Sequence, residues 1–130
     1  MKPNPEDHRL LALWAAVCAE HVLDIFEAHR PQDDRPRKAV EAVRTWVQGD
    51  LGVSVVRAAA FAAHAAARDA PTPAATSAAR AAGHAAATAH VVTHAPHAAR
   101  YARAAASDVE AELEWQRQQL PERLCAFAFG

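Results

Sequence analysis

Residues 58–106 read AAAFAAHAAARDAPTPAATSAARAAGHAAATAHVVTHAPHAARYARAAA, a block dominated by alanine. Alanine is the best helix former because its methyl group loses no rotamer entropy when the chain folds. Its small size also allows helix backbones to approach one another closely. The block therefore predicts tightly packed helices, and no segment of the chain alternates with the period of a β-strand.

Five histidines are almost the only side chains of this block that can carry chemistry: His64, His84, His90, His94 and His97. Their alanine neighbours are too small to shield them. Each ring therefore needs a hydrogen-bond partner, or it must face a cavity, a ligand or water.

The chain has 130 residues, the size of one domain, so we expect a single helical domain over residues 1–130. Hydrophobic residues make up 52% of the chain, but alanine inflates that value and large apolar side chains are sparse. The net charge of −1 offers no clustered basic face, which argues against a nucleic-acid partner. No apolar run approaches the roughly 20 residues of a membrane span, so no membrane partner is expected.

Two cysteines, Cys18 and Cys125, lie far apart and form no CxxC pair. They support neither a disulfide framework nor a zinc finger, and reduced thiols favour a cytoplasmic location. The apolar run at residues 10–19 is flanked by acidic residues and continues as a helical stripe, unlike a secretory signal. The stripe consists of Leu10, Leu11, Trp14, Val17, Cys18, His21, Val22, Ile25 and Phe26.

Capping and breaking residues divide the chain into an all-α bundle of about five helices. Asn4 with Pro5, Thr72 and the segment 107–110 give helix starts, and Gly49 suits a left-handed helix end. Pro96 predicts a kink in a long fourth helix, and residues 122–130 are expected to form a short tail. The predicted helices span about 5–30, 35–48, 54–70, 73–106 and 108–120.

Four side chains would share one face of that long helix if the kink is ignored: His90, His94, His97 and Tyr101 fall within about 60°. Histidines four residues apart can share a zinc ion, which makes His90 and His94 candidate metal ligands. One ion would still need a further ligand such as His64, and the glutamate of an HExxH motif is missing. The alternatives are a metal-free polar pocket and ordinary hydrogen-bonded or solvated side chains, and no cofactor is predicted.

The turn after the first helix combines Asp33, Asp34, Arg35 and Arg37. A guanidinium fork in this turn could bind a carboxylate or a phosphate. Helix capping and solvation explain the same residues equally well.

Two tryptophans, Trp46 and Trp115, lie about 100–120° from the centres of the apolar stripes of their helices. Large rigid aromatic side chains dominate interface energetics, so both are candidate anchors for a partner. The alternative is that each packs onto a neighbouring helix or onto the C-terminal tail.

Four segments occur in a recognisable order: DDRPRKAVEAVRTW at 33–46, VVRAAAFAAHAAAR at 55–68, AARAAGHAAATAHVVTHA at 78–95 and WQRQQLPERL at 115–124. This order resembles bacterial immunity proteins described as immunity-protein-five-like, and the likeness spans nearly the whole chain. The resemblance implies a small helical cytoplasmic antidote that neutralises a cognate toxin. It supplies no site residues, and the Pro96-His97 pair departs from the family pattern.

Two hypotheses for function follow. In the first, the chain binds a toxin protein through exposed aromatic side chains and charged helix faces. In the second, a pocket between helices binds a small molecule or performs metal-independent acid–base chemistry. That pocket would be lined by His64, His84, His90, His94 and Tyr101. The resemblance favours the antidote over an enzyme, no common enzyme motif is present, and a homodimer stays possible.

Overall fold

The computed structural model describes residues 2–130, and within this range the regular structure is entirely helical. It has six α-helices of ten or more residues rather than about five, and its last residues form helical turns rather than a plain tail. The helices are α1 (Pro5–His29), α2 (Arg35–Val47), α3 (Val53–Arg68), α4 (Pro73–Ala87), α5 (His94–Ala105), α6 (Val109–Gln118) and α7 (Cys125–Phe129), with a 3-10 turn at Glu122–Leu124 before α7.

The predicted helix caps at Asn4 and Thr72 are confirmed, whereas the predicted capping box at residues 107–110 is wrong by one residue, since Asp108 and not Ser107 is the N-cap of α6. The side chain of Asn4 accepts a hydrogen bond from the backbone amide of Asp7 at 2.8 Å, and Thr72 caps α4 in the same way. Asp108 caps α6, and Gly49 adopts a φ of 85° after α2. These residues satisfy backbone groups that have no partner inside the helix.

The expected continuous helix from 73 to 106 is wrong. The chain leaves the helix after Ala87, turns through residues 88–93 and begins α5 at His94. Three consecutive β-branched residues, Val91 to Thr93, disfavour helix at this point. Pro96 produces no kink because it occupies the first turn of α5, where its missing amide has no partner to lose.

Helix α4 lies at the centre of the fold and contacts α1, α2, α3 and α5. Its alanines are buried around most of its circumference, so it has no face that is mainly solvent-exposed. Because each presents only a methyl group, the surrounding helices pack close to its backbone. The fully buried alanines of α4 are Ala75, Ala78, Ala79, Ala81, Ala82, Ala85 and Ala86.

Helix α1 supplies most of the large core side chains. Leu11, Trp14, Leu23 and Phe26 are buried, and Leu11, Trp14 and Phe26 belong to one contiguous core with residues of α2 and α3. His21, which the sequence places in the apolar stripe, is instead exposed. Although α1 is the longest helix, no helix of the described chain is long and apolar enough to cross a bilayer.

A buried glutamine holds α6 in place. Gln116 donates through Nε2 to the carbonyl oxygen of Ala99 at 3.0 Å and accepts from Arg103 at 2.9 Å. Its backbone carbonyl accepts from the indole of Trp14 at 2.9 Å. Every one of these polar groups is therefore satisfied at a buried position. Phe129 of α7 packs edge-on against Trp14, which closes this end of the bundle.

We expect Ala82→Leu to lower the free energy of unfolding by about 1–3 kcal/mol, because extra carbon atoms have no room at a fully packed site. Ala58→Leu, at an exposed position of α3, serves as the matched control and should change it by less than about 0.5 kcal/mol. Urea denaturation measures both values. Equal losses for the two variants would contradict the packing described for α4.

Candidate functional site

Helices α3, α4 and α5 bring together four histidines and a tyrosine at one side of the bundle. The ring of His84 on α4 is central: its centroid lies 4.9 Å from that of His64, 5.2 Å from that of His94 and 5.4 Å from that of His97. Tyr101 stacks parallel to His84 at 5.2 Å, with 8° between the ring planes. We call these five residues the histidine cluster.

The ring of His64 rests on the backbone of α4 at Gly83. A Cβ atom built at Gly83 would lie 2.7 Å from His64 Nε2, closer than side chains tolerate. The guanidinium of Arg80 donates to His64 Nδ1 at 2.9 Å, so this nitrogen carries no hydrogen. The missing side chain at position 83 is therefore what admits the His64 ring between the helices.

His84 and His94 form a hydrogen bond between their two Nδ1 atoms at 2.9 Å. In such a pair one Nδ1 atom carries the hydrogen and the other accepts it. The two neutral rings must consequently be opposite tautomers, and only one of them keeps an unprotonated Nε2 atom. That nitrogen is the one free imidazole lone pair that the hydrogen-bonded pair can offer to a ligand or a proton.

The histidine cluster lines several clefts, and two of these share His94. The larger, of about 470 Å³, is lined by His84, His94, His97, Arg100, Tyr101 and Ala104. The smaller, of about 180 Å³, is lined by Arg57, Ala60, Phe61, His64, Ala87, His90 and His94.

His90 and His94 do not form the predicted pair on one helix face. His90 lies in the turn before α5, whereas His94 is the first residue of α5. The Nδ1 atom of His94 is engaged with His84. Residues 2–130 contain no group of three or more histidine, cysteine or carboxylate side chains arranged to hold a metal ion.

The histidine cluster lies in a region without counter-charge. Asp69 is the only carboxylate between residues 51 and 107. Burial, with the neighbouring histidines and Arg80, lowers the pKa of His84 to about 3. Burial and Arg80 lower the pKa of His64 to about 4, and burial also lowers the pKa of His94. These three rings are therefore neutral near pH 7.

The charged side chains of the first turn bind one another. Arg35 donates two hydrogen bonds to the carboxylate of Asp33, at 2.9 and 2.7 Å, and forms an ion pair with Asp69 at 3.4 Å. Arg37 likewise donates two hydrogen bonds to the carboxylate of Glu27, at 2.6 and 2.7 Å. Asp34 pairs with Lys38 one helical turn later. Both guanidinium forks are thus occupied by carboxylates of the chain itself.

The two candidate tryptophan anchors are half-buried. Trp46 packs against the core beside His8, with ring centroids 5.2 Å apart. Trp115 is covered by the ring of His21, which stacks on it at 3.5 Å and donates to the buried carboxylate of Glu112 at 2.8 Å. Each tryptophan therefore has part of its ring covered by a histidine of α1.

Among residues 2–130, the most exposed large apolar side chain is one that the sequence analysis did not identify. Phe61 on α3 is 62% exposed, and the guanidinium of Arg57 lies 5.5 Å from its ring centre. Val53 and Val55 are exposed on the same helix. The only available signal was that Phe61 is the single large side chain in a run of alanines, which does not tell which face of the helix points outward.

A family model described as "Imm-5 like putative immunity protein" matches residues 1–123. No curated protein and no protein of solved structure matches the chain.

We expect Gly83→Ala to destabilise the protein, because the new methyl group displaces the His64 ring and breaks its bond to Arg80. In a His64→Ala background the same change should instead raise the free energy of unfolding, by about 0.5–1 kcal/mol, since alanine is the better helix residue. Urea denaturation of the four proteins measures both effects. Destabilisation of the same size in both backgrounds would contradict the contact.

We expect the free energy of unfolding to fall as the pH decreases from 6.5 towards 4. Unfolded histidines bind protons with an ordinary pKa of 6.5, whereas His64 and His84 in the folded protein bind them only near pH 4 and 3. The unfolded state thus binds more protons in this window, and stability is lost as the pH falls.

Urea denaturation at half-unit pH steps measures this slope, with the His64→Ala, Gly83→Ala protein as the comparison because it lacks one of the two groups. Its slope should be shallower. Glu27 and Asp33 contribute with the same sign in the lower part of this window, since Arg37 and Arg35 lower the pKa of these carboxyls below their ordinary 4.5 and 3.8. Both proteins contain these two groups, so their contribution cancels in the comparison. Identical slopes in the two proteins would show that His64 is not responsible.

Proposed function

We propose that this chain, which belongs to the Imm-5 like family of immunity proteins, binds a toxin protein and blocks its activity. The proposed contact surface is the outer face of α3, centred on Phe61. The observation that carries this proposal is the 62% exposure of the Phe61 ring beside the guanidinium of Arg57.

Phe61 has the properties of an interface anchor. Large aromatic residues dominate the energetics of protein interfaces, and arginine is enriched beside them. Val53 is 42% exposed and Val55 is 53% exposed, so further apolar surface lies near the start of α3. His90, which lines the smaller cleft with Phe61, is followed directly by the exposed Val91.

The charge of α3 indicates the kind of partner surface. The helix carries Arg57 and Arg68 and has no carboxylate. Asp69, which follows it, pairs with Arg35. A partner surface that presents carboxylates around an apolar depression would complement this face in both charge and hydrophobicity.

The functional part of the proposal is tested with a partner captured from the host and then purified. Expression of that partner in a bacterial indicator strain should arrest growth, and co-expression of the chain should restore it. A captured partner that is harmless on its own would contradict the antidote function.

For the surface, we expect Phe61→Ala to weaken binding of the purified partner by about 30-fold or more, as for an interface hot spot. Because the ring is mostly exposed, the free energy of unfolding should change by less than about 0.5 kcal/mol. Calorimetry measures the affinity.

Val109→Ala is the matched control, since Val109 is 50% exposed on α6 and lies outside the proposed surface. It should change the dissociation constant by less than about threefold. Growth rescue together with equal effects of the two variants would keep the antidote function but place its contact surface elsewhere.

A further inference from the structure

The larger cleft of the histidine cluster lies between α4 and α5 and plays no part in the proposed contact of α3 with a toxin. We propose that this cleft binds a small molecule that carries a phosphate group, with Arg100, His97 and Tyr101 as its hydrogen-bond donors. This inference does not depend on the antidote function.

The cleft combines donors of the kind that oxyanions need. Arg100 uses Nη1 to donate to His97 Nδ1 at 3.0 Å, and its other guanidinium hydrogens are not committed to a carboxylate. Because Nδ1 of His97 accepts this bond, the neutral ring carries its hydrogen on Nε2 and donates from there. Tyr101 adds a hydroxyl group to the cleft lining. Guanidinium and N–H donors of this kind form short, strong bonds to phosphate oxygens.

No acidic side chain competes for these donors. Helix α4, helix α5 and the turn between them contain no aspartate or glutamate. Within the described part of the chain, neither Arg80 nor Arg100 forms an ion pair with a carboxylate. Helices α4 and α5 therefore carry only basic and neutral side chains, which favours an anionic ligand over a cationic one.

The size of the cleft indicates more than an isolated ion. Its volume of about 470 Å³ falls within the range of about 300–1,000 Å³ that is typical of small-molecule sites. The parallel rings of His84 and Tyr101 form part of its wall. The lining thus has room for an organic group beside the phosphate.

Binding of phosphate is linked to proton uptake. His84 and His94 share one hydrogen, and their neighbours His64, His97 and Arg80 are neutral or positive. A doubly charged anion beside this pair stabilises a positively charged imidazole and so raises the pKa of the pair. Protons should then be taken up from solution as the ligand binds, which a purely structural role of the cluster would not produce.

The test is a titration of the wild-type chain with inorganic phosphate at pH 6.5, at constant ionic strength set with chloride. Histidine ring resonances in NMR spectra should shift in a saturable way, with a dissociation constant of about 1 mM or tighter. Calorimetry in two buffers of different ionisation enthalpy should show proton uptake. Phenyl phosphate should bind at least as tightly as inorganic phosphate.

Two variants make the test specific. Arg100→Gln should weaken phosphate binding about tenfold or more, since it removes a charge-assisted donor. Arg9→Gln removes the same charge from an exposed residue of α1 that lines neither cleft, and it should change the affinity less than about twofold. The proposal is overturned by unsaturable shifts, by equal effects of the two variants, by the absence of proton uptake, or by phenyl phosphate binding more weakly than inorganic phosphate.

Discussion

The close packing of helices around α4 is the constraint on which the rest of the structure depends. A helix that contacts four neighbours can bury most of its surface only if its side chains are small, and α4 meets this condition with seven fully buried alanines. The larger apolar side chains that give hydrophobic stabilisation are therefore supplied mainly by α1. This division also explains why polar rings enter the bundle: between two alanine-lined helices, an imidazole ring can occupy space that a methyl group leaves empty.

Much of the fold could be predicted from the sequence because local chemistry determines it. Asn4, Thr72 and Gly49 mark helix ends through their own hydrogen-bonding and backbone properties, and the structure confirms each of them. The end of α4 at Ala87 was not predicted, because the helix was expected to be interrupted at Pro96 instead. The three β-branched residues from Val91 to Thr93 were the better signal, since their effect on helix propensity is cumulative.

The site was harder to predict than the fold. The histidines were identifiable as almost the only reactive side chains of an alanine-rich block, but their pairing depends on how α3, α4 and α5 rotate against one another. That rotation determines two contacts: the hydrogen bond between the Nδ1 atoms of His84 and His94, and the packing of the His64 ring against Gly83. The exposure of Phe61 could not be predicted from the sequence for a related reason. A helix made mostly of alanine has no polar stripe that identifies its solvent-exposed face.

The alanine core also has a consequence for how such a sequence can change over evolutionary time. A leucine in a core can be exchanged for a larger or a smaller residue, whereas a buried alanine can hardly become smaller and has no space to become larger. Very few residue types are therefore tolerated at the buried positions of α4. The outer face of α3 carries no such restriction, because its side chains extend into solvent. We therefore expect substitutions to be tolerated far better on the outer face of α3 than in the interior positions of α4.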